Sequence, residues 1–249
     1  MLVEYKNIVG IGMALLCIAG LIQVCPTASK ASSQADVSKA KAVVQVLEKR
    51  NVHDIEDKIQ VVQNSFHKKK INTASFPARF SHTIIMGDSM AEGLLEYGLL
   101  PESIVIAKRG RRTDNIDGEI NSVIAIAPKA VFLQYGLNDL EYCRGKASRF
   151  AAQYKVQIEK IQKALPNTKI YINSITPIAA KAQSKKKAYT HVSEFNEALK
   201  KLCEELQVVY IDNTNTIDFS GNVYEKDGIH PTFAYYPLWL SNMLEHAGL

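Results

Sequence analysis

Three short stretches of this chain carry side chains suited to acyl chemistry: Gly87-Asp88-Ser89-Met90, Gly136-Leu137-Asn138-Asp139 and Asp227-Gly228-Ile229-His230. A serine hydroxyl is a weak nucleophile until a base takes its proton, and that base needs an acceptor on its second ring nitrogen. Ser89, His230 and Asp227 supply the three parts. Asp227 and His230 stand three residues apart just before a predicted helix, a spacing that puts carboxylate and imidazole on one side of a turn. Asn138 offers an amide donor to the oxyanion that forms on an attacked carbonyl, and Gly110 offers a backbone N–H with nothing beyond its Cα to block approach.

These residues need a frame that brings them together. After Pro77 the chain alternates short β-branched runs with amphipathic stretches, which predicts a parallel sheet covered by helices. Strands are expected at 82–86, 103–107, 130–135, 168–173 and 207–211, with helices near 89–98, 114–126, 146–164, 189–206 and 233–246. Ligands in such sheets bind beyond the carboxyl ends of the strands. Ser89 follows the first strand directly, where Gly87 permits a tight turn and the next helix points backbone N–H groups at developing negative charge. Asn138 follows the third strand and projects at the same end.

Other chemistries fit less well. An α/β-hydrolase elbow needs G-x-S-x-G, but position 91 is Ala. A chymotrypsin-like order places histidine before serine, whereas His230 follows Ser89. The chain has no H-E-x-x-H motif, no C-x-x-C pair and no G-x-x-x-x-G-K, so neither a metal nor a nucleotide cofactor is expected. A net charge of +5 without an aromatic-interleaved basic stripe gives no reason to expect nucleic acid as a partner. Cys143 and Cys203 either form a bridge or stay as two buried thiols.

The motifs resemble those of the SGNH hydrolases, also called GDSL esterases and lipases. Gly87 to Met90 resembles the first block, with Met for the usual Leu, and Glu92-Gly93 fits the residues that follow it. Gly110 resembles the second-block glycine, Gly136 to Asp139 the G-x-N-D third block, and Asp227 to His230 the D-x-x-H fifth block. The likeness spans about Ser81 to Leu249. It implies a flavodoxin-like, three-layer α/β/α sandwich with a five-stranded parallel sheet. It also implies a Ser89, His230 and Asp227 triad, with an oxyanion hole from the Ser89 and Gly110 N–H groups and the Asn138 side chain. The second block departs from the family in lacking a further glycine and in carrying Arg109, Arg111 and Arg112. These arginines either favour an anionic or carbohydrate substrate or lie solvated on a loop; Arg111 and Asp88 are the expected substrate contacts.

The region before the domain reads differently. No charge occurs between Asn7 and Ser29, and Ile8 to Val24 is long enough to cross about 30 Å of hydrocarbon, which predicts a signal peptide or membrane anchor over 1–31. Apolar residues at helical spacing from Val43 to Phe66 predict a helical stalk within 32–76, and residues 33–70 could also meet a protein partner. The catalytic domain is then 77–249. A secreted or membrane-tethered enzyme with one Trp and an arginine-bearing second block suits short acyl groups, above all acetyl, on cell-surface or environmental glycans. Two alternatives use the same residues: a carbohydrate O-acyltransferase working through the same acyl-enzyme, and an inactive glycan-binding surface module.

Overall fold

The computed structural model describes residues 71–219 and 222–249. The expected membrane segment and most of the expected helical stalk lie outside the described residues, as does the partner surface over 33–70.

Among the described residues, five parallel strands form one sheet: β1 (Thr83–Gly87), β2 (Val105–Ala107), β3 (Ala130–Gln134), β4 (Lys169–Asn173) and β5 (Val209–Ile211). Their order across the sheet is β2-β1-β3-β4-β5, the doubly wound order of flavodoxin-like folds. All five residues of β1 and of β3 are buried, as expected of parallel strands covered on both faces. The strands match the predicted positions to within two residues at each end.

The α-helices among the described residues are α1 (Phe76–Arg79), α2 (Ser89–Glu96), α3 (Asp117–Ile126), α4 (Leu137–Tyr142), α5 (Ala147–Ala164), α6 (Ala180–Gln183), α7 (Val192–Leu206) and α8 (Tyr235–Ala247). Right-handed crossovers dictate the layers. The step from β1 to β2 runs one way along the sheet and places α2 on one face. The steps to β3, β4 and β5 run the other way and place α3, α5 and α7 on the opposite face. After β5 the chain returns so that α8 meets α2. This is a three-layer α/β/α arrangement.

Two features depart from the sequence reading. Phe76, assigned there to the stalk, is 1% exposed and packs edge-on against Phe80, which in turn packs against Phe132 of β3. The folded core therefore begins before Pro77. The short helices α1, α4 and α6 were not anticipated, because four to six residues hold too little helical repeat to be seen as a pattern. Cys143 and Cys203 are both free and buried, and burial pushes their thiols up to about 11 and about 12.

Candidate active site

Strand order builds the site. Between β1 and β3 the winding of the sheet reverses, and a crevice opens at such a switch point beyond the carboxyl ends of the strands. Ser89 begins α2 just past β1, and Asn138 lies in the first turn of α4 just past β3. Asp88, beside the serine, and Asn138 are 50 apart in sequence and thus become neighbours.

Gly87 serves close approach rather than unusual backbone torsion. A Cβ there would lie 2.5 Å from the Ala91 Cβ and 2.8 Å from the Gln134 carbonyl oxygen. The missing side chain lets the start of α2 sit tightly against β3. Asp88 caps this helix: its Oδ1 accepts the Met90 N–H at 3.0 Å, the usual role of an aspartate at an N-cap.

His230 arrives from the other end of the chain. Its loop is folded back on itself, with the Glu225 N–H donating to the His230 carbonyl at 2.8 Å and the Thr232 N–H to the Val223 carbonyl at 2.8 Å. The segment after β4 holds this loop in place. The Ala179 N–H donates to the Gly228 carbonyl at 2.9 Å, and the Tyr224 hydroxyl donates to the Pro177 carbonyl at 3.0 Å. Gly228 has a φ of +75°, and a Cβ there would meet the Lys181 side chain at 2.6 Å. The positive φ is what favours glycine there, since the end of the lysine chain can move aside.

The three residues form one chain of contacts. Ser89 Oγ lies 2.9 Å from His230 Nε2, and His230 Nδ1 lies 2.5 Å from Asp227 Oδ2. Asp227 Oδ1 also accepts the N–H groups of Ile229 at 2.8 Å and His230 at 3.1 Å. Partial burial works against its charge, but the bonds to His230 and to the two N–H groups outweigh that and hold its carboxyl below the usual range. An ionised Asp227 keeps a proton on Nδ1 and leaves Nε2 to take one from serine.

Asn138 Nδ2 donates to the Arg111 carbonyl at 3.0 Å and is 3.4 Å from Asp88 Oδ2. Gly110 lies one residue before Arg111, exposed, with a φ of +79°, in a turn closed by the Arg111 N–H on the Lys108 carbonyl at 3.2 Å. Three residues to which the sequence assigned no role of their own hold this loop. Asp139 Oδ1 accepts both the Thr113 N–H at 3.0 Å and the Thr113 hydroxyl at 2.6 Å, while the Gln157 amide donates to the Thr113 carbonyl at 3.0 Å. The aspartate of G-x-N-D was a visible signal, but its threonine partner, 26 residues away, was not.

The expected substrate contacts are placed differently. Asp88 is 0% exposed, with its oxygens on Met90 and Asn138, so it cannot touch a substrate. Arg111 turns its guanidinium to Glu119 at 2.5 Å. Arg109 pairs with Glu92 and Glu96, and Arg112 pairs with Asp114 while lying 4.3 Å above the Tyr142 ring. Each arginine therefore has a carboxylate partner: Arg109 lies exposed on its loop, as one of the two expectations had it, whereas Arg111 and Arg112 are partly buried.

Residues 85–237 match the model of the GDSL-like lipase/acylhydrolase family, whereas no curated protein sequence matches the chain. Among solved structures, a GDSL-like lipase from Bacteroides thetaiotaomicron is similar, with a TM-score of 0.54 and 16% identity over 67% of this chain and 88% of that one. A family 3 carbohydrate esterase from Talaromyces cellulolyticus has a TM-score of 0.51 and 16% identity, covering 65% of this chain and 93% of its own. A catalytic mutant of an acetylxylan esterase from Geobacillus stearothermophilus has a TM-score of 0.51 and 15% identity, covering 67% and 94%. At these identities the solved structures share the fold. The family match covers well over half of the sequence: the chain belongs to the GDSL-like lipase/acylhydrolase family of hydrolases.

Proposed function

We propose that this hydrolase is a serine esterase that removes short acyl groups, chiefly acetyl, from glycans. The observation that carries this reading is the contact chain from Ser89 Oγ through both ring nitrogens of His230 to Asp227, at 2.9 and 2.5 Å. Ser89 Oγ attacks the ester carbonyl as its proton passes to His230 Nε2. Asp227 holds Nδ1 and offsets the imidazolium charge. The oxyanion accepts hydrogen bonds from Asn138 Nδ2 and from the backbone N–H groups of Ser89 and Gly110. His230 then protonates the leaving alcohol, and water, deprotonated by the same nitrogen, cleaves the acyl-enzyme.

Support for a glycan comes from the carbohydrate esterase and the acetylxylan esterase among the similar structures. Support for small acyl groups comes from the sequence, which has one Trp and no long apolar lid segment. The charge-free stretch from Ile8 to Val24 supports secretion or tethering at a membrane, which would place the enzyme outside the cytoplasm.

The test uses the full chain with an aryl acetate and with acetylated xylan. Acetate release and labelling by a fluorophosphonate are both expected, and Ser89→Ala should abolish both while the protein stays folded. Turnover retained by that variant would sink the reading.

A further inference from the structure

Asp88 is one residue before the proposed nucleophile, yet it is sealed from solvent. Its two oxygens have different partners. Oδ1 takes the Met90 N–H at 3.0 Å, which caps α2, and Oδ2 faces Asn138 Nδ2 at 3.4 Å. A serine or threonine could cap the helix as well. Capping alone therefore does not explain a buried carboxylate, which loses hydration and must regain it from donors.

Asn138 is the partner of the second oxygen. Its amide nitrogen carries two hydrogens, and one is held by the Arg111 carbonyl at 3.0 Å. The other lies toward Asp88 Oδ2 at a separation near the long limit for a hydrogen bond. So weak a bond orients the amide without holding the hydrogen against a stronger acceptor such as an oxyanion. We propose that Asp88 is a positioning residue: through Oδ2 it sets the direction of the Asn138 amide, tying the oxyanion donor to the same turn that presents Ser89. This rests on the reading of Asn138 as an oxyanion donor. Burial pushes the Asp88 carboxyl up to about 7 despite the Met90 bond, with nearby Asp139 adding to the rise, which shows how strongly the surroundings press on this acid.

Two substitutions separate positioning from capping. Asp88→Asn keeps the shape and sets an amide against the Asn138 amide, donor against donor, or else flips and loses the cap. Asp88→Ser keeps the cap and removes the oxygen that faces Asn138. Both are expected to lower kcat by about 10- to 100-fold with KM within about twofold, and Asp88→Ser should keep its melting temperature. In an Asn138→Ala background, itself slower by about 10²–10³, either change should cost no more than about twofold further, because its path is already cut. Independent, multiplying losses would overturn the proposal, and so would full kcat in a folded Asp88→Ser enzyme. If Asn138→Ala were fully active while Ser89→Ala was dead, the positioning role would fall and the serine esterase would stand.

Discussion

Gly93 of α2 and Tyr236 of α8 meet so closely that a Cβ on the glycine would lie 2.3 Å from the tyrosine hydroxyl oxygen and 2.6 Å from its Cζ. Tyr236 is buried and also packs against Tyr97 with ring centroids 4.9 Å apart, so its ring has nowhere to move. Helix α2 begins at Ser89, and α8 follows the loop that carries His230. Gly93→Ala should therefore push apart the two pieces that bring serine and histidine together. Overpacking of this kind costs about 1–3 kcal/mol. Denaturant titration should show that loss, and kcat should fall with it; an unchanged midpoint would mean that α8 yields more easily than the contact implies.

Thr113 should matter through its hydroxyl. Thr113→Val preserves shape and the N–H bond to Asp139 but removes the 2.6 Å bond to the same carboxylate oxygen. Asp139 Oδ2 is buried with no hydrogen-bond partner among the described residues, so the loss leaves the group poorly compensated. A destabilisation of about 1–3 kcal/mol is expected. The denaturation midpoint checks it directly, and Thr113→Ser should restore most of the loss.

Stability should decline as pH rises across the neutral range. Burial raises the carboxyls of Asp88 to about 7 and Asp139 to about 6, so the folded chain keeps protons that the unfolded chain has released. Stability then falls from about pH 4, where unfolded carboxylates ionise, until both folded values are passed near pH 7. Asp227 acts in the opposite sense: its carboxyl is lowered, so its contribution is present above the unfolded value and lost as pH falls through the folded one. Its partial exposure keeps that contribution small. Melting temperatures recorded from about pH 4 to about pH 8 should decrease, with a shallower slope in Asp139→Asn. A rising curve would contradict the burial of this pair.

Arg111 should act on stability through Glu119. The pair is partly buried, with side chains 30% and 12% exposed, so Arg111→Gln leaves the less exposed carboxylate without its partner. A loss of up to about 2 kcal/mol is expected, with partial recovery when Glu119→Gln is added. A double-mutant cycle on the melting transition measures this coupling. A substrate contact would instead raise KM in Arg111→Gln with no dependence on residue 119.

Local chemistry and periodicity were legible in the sequence. Alternating apolar runs located the five strands, and residue types at fixed offsets located Ser89, Asn138, Asp227 and His230. Both depend on neighbours within a few positions, and the chain displays these directly. What each group touches could not be read there. Strand order put β1 beside β3, and with it Asn138 beside Asp88; the returning α8 brought His230 to a serine 141 residues away. The interior burial of Asp88, the pairing of three arginines with carboxylates, and the need for glycine at 93 all depend on surfaces that meet only after packing. Side-chain identity limits what a group can do, whereas exposure and partners are properties of the packed chain. The sequence determined the candidate groups and the elements that carry them, and only the tertiary structure decided which of them meet and which are enclosed among the others.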